Sequence, residues 1–190
     1  LSFYQIRRMR MKWEKKHTLE ETVEWKGLPE SEMEPFKSYV NSKVPGVCGT
    51  YAAASLTVLM AKREGVVTQS MDKLLESMEA SIEYALPYRG TFYWDVQRGL
   101  NQEWKKYGYK THFNLFSEKV VPGLLDDGVP VVVGTTTALG SPYKNHWLVV
   151  YQYAFDSTGK LWYKAYDNHG SITTVIPAVQ TLCALWLEKL

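Results

Sequence analysis

Hydrophobic and polar positions divide the chain into a helical first part and a strand-rich second part. From Gly49 to Arg63 the run GTYAAASLTVLMAKR is Ala-rich and apolar on most sides, which predicts a buried helix, with Gly65 as its stop. Over 69–86, Met71, Leu74, Leu75, Met78 and Ile82 recur at helical spacing, and Pro87 ends the segment. A third helix is predicted from Thr91, as N-cap, to Tyr107, burying Trp94, Leu100 and Trp104. Residues 109–115 read as a strand, and 117–126 as a short helix despite Pro122 inside it. Val129 to Thr135 reads as a buried strand. The runs HWLVVYQYAF and KLWYKAY flank Asp156-Ser157-Thr158-Gly159, a hairpin signature, and 172–176 adds a further strand. The tail AVQTLCALWLEKL fits either helix or strand. At the other end, Arg8, Arg10 and Lys12 alternate with Met9, Met11 and Trp13, as in a strand with one solvated face, and 27–47 is an irregular lead-in rich in Pro and Gly. Helices first and antiparallel strands second predict an α+β fold. We expect a single domain over 1–190, with a strand and lead-in over 1–40, a helical half over 41–108 and a mainly sheet half over 109–190.

Composition narrows the function. The chain has 190 residues, 45% of them hydrophobic and 14% aromatic, enough for one well-filled core. Its net charge of +2 comes from 22 basic and 20 acidic residues, with no basic stripe between stacking aromatics, so a nucleic-acid partner is not expected. No apolar run reaches the roughly 18 residues that a membrane span needs. The two cysteines are too few for a disulfide scaffold, and a lone Cys with a distant His downstream is the pattern of a catalytic thiol. The chain starts at Leu1 rather than Met, so trimming is expected. A removed signal or anchor would make it secreted or surface-bound, and the compartment stays open.

Cys48 follows Pro45-Gly46-Val47, a turn-forming lead-in, and opens the first predicted helix. A thiol there lies near unpaired N–H groups and the positive end of the helix dipole, which favour the attacking thiolate. The bland alternative is a buried Cys that merely starts a core helix. His146 begins an apolar strand after a polar loop, at the rim of the core, where a general base reaches both nucleophile and solvent. Across the predicted hairpin, paired positions sum to 315, so Asp167 falls on the face of His146 as a diagonal neighbour while Asn168 points to the other. A carboxylate beside the imidazole would fix its tautomer, hence Asp167 before Asn168, provided no bulge intervenes. His146, Asp167 and His169 are zinc-type ligands, but no helix-borne pair such as HExxH accompanies them, so neither metal nor cofactor is expected. Cys183, between Leu182 and Ala184, reads as a core residue.

Three pieces in order carry a family resemblance: Cys48-Gly49 and the small residues after it, the strand Gly128 to Val133, and the His146-led strand returning to Asp167. Together they resemble the bacterial papain-like cysteine peptidases that are similar to the bacteriocin-leader (double-glycine) processing peptidases. The resemblance implies a papain-like fold, a helical half carrying the thiol and a sheet half carrying the base, and a peptide or protein substrate. It departs from the family at one point. The Gln that usually stands six residues before the nucleophile, completing the oxyanion hole, is here Ser42, with Asn41 beside it. Asn41 would have to donate through its amide, with the Cys48 N–H as second donor. The function expected is hydrolysis of an amide or peptide bond by Cys48, His146 and Asp167. Acyl transfer or deamidation by the same triad, or a non-catalytic peptide-binding domain of the same fold, are the alternatives; the oligomeric state is not legible.

Overall fold

The computed structural model of the protein describes Gln5 and residues 18–43 and 46–190. The alternating Arg8–Trp13 stretch and Pro45 of the lead-in lie outside these residues. Helix α1 spans Cys48–Glu64, α2 Met71–Ile82 and α3 Tyr93–Trp104. A short strand β1, Lys26–Gly27, precedes them, followed by a 3-10 turn over Glu30–Phe36 that buries Met33 and Phe36. After α3 come β2 (Tyr109–Asn114), α4 (Ser117–Asp126), β3 (Val131–Thr135), β4 (His146–Phe155), β5 (Leu161–Tyr166), β6 (Thr174–Pro177) and β7 (Thr181–Lys189). The architecture is α+β, with the helical part packed on an antiparallel sheet.

Helix α1 has almost no polar face. Ala52, Ala53, Ala54, Leu56, Leu59, Met60 and Ala61 are all buried, since α2, α3 and the sheet cover different sides of it. Gly65 closes it at φ 65°, a left-handed conformation that suits a residue without Cβ, with its N–H on the Ala61 and Lys62 carbonyls. Helix α2 stops at Ile82 rather than near 86: Ala85 and Leu86 continue the helical spacing but are exposed, as is Tyr84, so no burial favours extending the helix. Helix α3 begins one residue later than Thr91 as N-cap predicts, with Phe92 in the cap position. Asp95 accepts the Phe92 N–H at 2.9 Å, while the Thr91 hydroxyl turns away to Glu83. Trp94 is not core; it is 41% exposed and stacks on Phe92 at 4.7 Å.

The sheet runs β2-β7-β3-β4-β5-β6, and β1 extends the β4 edge by pairing with Tyr153 and Gln152. One face meets α1 to α3 through Val132, Trp147, Val149, Tyr151, Cys183 and Leu185. The opposite face meets α4 through Val131, Val133, Leu148, Val150 and Ala184. The ambiguous tail is strand β7, seated between β2 and β3. A strand covered on both faces is apolar at successive positions, so it loses the alternation that would mark it.

Trp104 closes the helical core. It is fully buried, donates from Nε1 to Thr57 Oγ1 at 3.1 Å, and meets the edges of the Tyr107 and Tyr109 rings. Trp104→Ala should cost about 3–5 kcal/mol of unfolding free energy, measured by urea denaturation. A loss under about 1 kcal/mol would show that α3 is not anchored by this ring.

Candidate active site

The site is assembled where the first turn of α1 meets the head of β4. Cys48 is the first residue of α1 and half-buried. The backbone N–H groups of Trp147, Gly49 and Cys48 face its sulfur. Burial pushes the thiol up to about 11, outweighing the Trp147 amide, and the nearby Glu83 carboxylate adds to the rise. At neutral pH the sulfur is therefore protonated.

His146 stands one residue before Trp147, on the opposite side of the strand. Along β4, Trp147, Val149 and Tyr151 turn to the α1 side, while Leu148 and Val150 turn to the α4 side. His146 shares the second parity, and its ring stacks on Tyr143 at 5.6 Å and lies 4.1 Å from the His169 ring centroid. Its Nε2 lies 2.7 Å from the backbone carbonyl oxygen of Asp167. A carbonyl only accepts, so Nε2 carries the hydrogen, which leaves Nδ1 with a free lone pair. Burial lowers the imidazole to about 4, against the Asp167 carbonyl bond that favours its charged form. No hydrogen bond joins the Cys48 sulfur to the His146 ring among the described residues, and both groups rest neutral.

Asp167 meets His146 through its main chain. Its carboxylate Oδ1 accepts the His169 and Ser171 N–H groups at 2.8 and 2.9 Å. Oδ2 accepts the Tyr143 and Thr174 hydroxyls at 2.8 and 2.7 Å. Burial alone would raise the carboxyl, but these donors hold it below the usual carboxylate range. The carboxylate thus locks the turn after β5 and aims the carbonyl of the same residue at the imidazole. Asn168 is fully buried at φ 46°, with Nδ2 on the Trp147 carbonyl at 2.9 Å and Oδ1 without a hydrogen-bond partner among the described residues.

Asn41 is buried, and its N–H donates to the Asn168 carbonyl at 2.7 Å. Its Oδ1 accepts the N–H groups of Lys43 and Val47 at 3.3 and 3.4 Å, bracing the approach to Cys48. Ser42 is exposed. Three residues that the sequence did not single out belong here: Tyr143, Thr174 and Glu83. Tyr143 sits in the polar loop before His146, three positions from it. Thr174 and Glu83 carry no motif, because only the folded chain brings them near. Cys183 is core, as its flanks suggested. Among the described residues no group of three or more His, Cys, Asp or Glu side chains is arranged to hold a metal ion, and no helix is long and apolar enough to cross a membrane.

The buried neutral imidazole couples stability to acid. An unfolded His takes up a proton near 6.5 and His146 only near 4, so stability falls as pH drops through that window. The loss approaches about 3 kcal/mol when pH reaches the lower value. Urea midpoints at pH 7 and pH 4.5 should differ less in His146→Gln than in the native chain. An identical pH dependence in both would place the acid sensitivity elsewhere.

No family model matches this sequence, and no curated protein matches it either. Among solved structures, the chain is similar to the peptidase domain of Streptococcus ComA, a bi-functional ABC transporter involved in a quorum sensing pathway. That similarity has a TM-score of 0.48 and 18% sequence identity, and covers 80% of this chain and 97% of that one.

Proposed function

We propose that the protein is a papain-like cysteine hydrolase acting on peptide bonds, with Cys48 as nucleophile, His146 as general base and acid, and Asp167 as the residue that orients the imidazole. The observation that carries this reading is the bond from His146 Nε2–H to the Asp167 carbonyl, beside a thiol whose helix tip abuts the next residue of the same strand. That bond selects the tautomer with a basic Nδ1, the state in which an imidazole accepts a thiol proton. Turnover requires His146 to bring Nδ1 to the sulfur. The Cys48 proton then passes to Nδ1 as sulfur attacks the carbonyl carbon, and the amide C–N bond breaks as His146 returns that proton to the leaving amine. Water, deprotonated by His146, cleaves the thioester, releasing the carboxylic acid product and regenerating the thiol. The N–H groups of Cys48 and Gly49 are the donors we assign to the oxyanion, with Asn41 bracing the loop before them.

A second reading, a peptide-binding domain without turnover, draws on two features: among the described residues the Asp167 carboxylate is hydrogen-bonded to the His169 and Ser171 N–H groups and the Tyr143 and Thr174 hydroxyls and not to the imidazole, and burial favours the protonated thiol. Incubation with a mixed peptide library, read by mass spectrometry, separates the two. Hydrolysis that disappears in Cys48→Ala while the melting temperature is unchanged supports the enzyme. Binding without any product in the native chain supports the second reading, and hydrolysis that persists in Cys48→Ala rules out the assigned nucleophile. His146→Gln should lower turnover by about 10²–10⁴-fold. Iodoacetamide should modify the half-buried Cys48 well before Cys183, which is only 5% exposed; equally slow modification of both would count against an accessible nucleophile.

A further inference from the structure

Glu83 has no part in the triad, yet it lies against the nucleophile's helix turn. It directly follows α2, half-buried, and reaches across to α1. Its Oε1 accepts the Thr50 backbone N–H and the Thr50 hydroxyl, both at 3.1 Å, and its Oε2 accepts the Thr91 hydroxyl. Thr50 is two residues beyond Cys48, so this carboxylate takes one of the free N–H groups that make a helix start electropositive. Gly49 is part of the same arrangement. A Cβ there would lie 2.5 Å from Thr91 Cγ2 and 3.3 Å from Glu83 Oε1, so only glycine lets the carboxylate and its threonine close on the turn. The Thr91 carbonyl in turn accepts the Trp147 indole N–H at 2.9 Å, tying Glu83 to the residue whose amide faces the sulfur.

We propose that Glu83 is a positioning residue for Cys48 whose carboxylate occupies the positive end of α1, denying that end to the thiolate and holding the nucleophile in reserve. The inference rests on Cys48 being the reactive thiol of the proposed enzyme. Other charged groups nearby do not cancel Glu83. Asp95, on α3, is paired with Arg98 at 2.8 Å and bonded by the Tyr88 hydroxyl, and Lys43 is engaged with Glu79 on the exposed side of α2. Among the described residues, the sulfur is influenced by the N–H groups of Trp147, Gly49 and Cys48 and by the field of this carboxylate, and burial of the site leaves that field poorly screened.

Glu83→Gln isolates the charge. An amide oxygen still accepts from Thr50, and the amide nitrogen donates to Thr91 Oγ1, so each bond is kept while the charge is lost. The native chain and the variant are treated with iodoacetamide across about pH 6–11, and adducts at Cys48 and Cys183 are quantified by peptide mass spectrometry. We expect the Cys48 midpoint to fall by about one pH unit in the variant, giving about tenfold faster modification at pH 8, with the Cys183 profile and the melting temperature unmoved. Superimposable Cys48 profiles in a folded variant overturn the proposal, because a merely structural contact would leave the thiol's titration where it was. Should the variant not fold, the Glu83 carboxyl of the native chain, followed by carbon NMR through alkaline pH, decides: a second inflection at the Cys48 midpoint supports the coupling, and its absence overturns it. If Cys48→Ala retains hydrolysis while the coupling is present, the proposed function fails and the Glu83 contact stands.

Discussion

Everything near Cys48 depends on how closely the first turn of α1 approaches the rest of the chain. Gly49, Thr50, Ala52 and Ala53 are buried because small side chains allow the helix tip to sit against the head of β4 and the segment after α2. Close packing of this kind is unforgiving: a single methyl at Gly49 would overlap Thr91. The same closeness brings the Trp147 amide to the sulfur. A bulkier turn would lose both the packing and the polar environment of the thiol, so stability and chemistry are built from one contact.

That closeness also sets the electrostatics. Backbone donors around a sulfur favour thiolate, but removing the sulfur from water favours thiol, and here desolvation outweighs them. The imidazole follows the same rule with opposite sign, since burial disfavours its charged form more than the Asp167 carbonyl favours it. Two groups that each resist ionisation exchange a proton only when brought together, because each charge then compensates the other's lost hydration. His146 differs in strand parity from Trp147, whose amide faces the sulfur, and among the described residues no hydrogen bond joins the sulfur to the imidazole.

The hairpin shows what the sequence makes legible and what it conceals. The register that sums to 315 is found at Val149–Tyr166 and Val150–Ala165. It survives because the strand slips by one residue between Val150 and Gln152, so that the far end pairs Tyr153 with Tyr163 and Phe155 with Leu161. The parity of His146 and Asp167 could be read from spacing, whereas side-chain direction at the strand's end could not. There the Asp167 carboxylate finds four donors, two in the tight turn after β5, one in the loop before β4 and one at the start of β6, a local competition invisible to periodicity. Helix α1 was legible from its apolar run, and α4 despite Pro122. Strand β7 was not, because covering both faces erases alternation. Thr91 looked like a helix cap by residue type, but its hydroxyl donates to the Glu83 carboxylate, a charged acceptor, and Phe92 takes the cap position instead.

Glu83 and Asp167 use their charges in the same way. Each carboxylate accepts backbone N–H and hydroxyl hydrogens beside a candidate site residue, fixing the main chain next to Cys48 in one case and next to His146 in the other. A carboxylate locked by several donors is a rigid anchor, since rotating it would leave all of them unpaired at once. The consequences differ because the anchored elements differ. Asp167 presents a carbonyl that selects the basic tautomer of the imidazole, which prepares a proton acceptor. Glu83 neutralises a helix tip that would otherwise lower the barrier to forming thiolate, which restrains the proton donor. In the proposed enzyme, both anchors together keep the base ready and the nucleophile quiet, so closure of the imidazole onto the sulfur is the step that must supply the missing charge stabilisation.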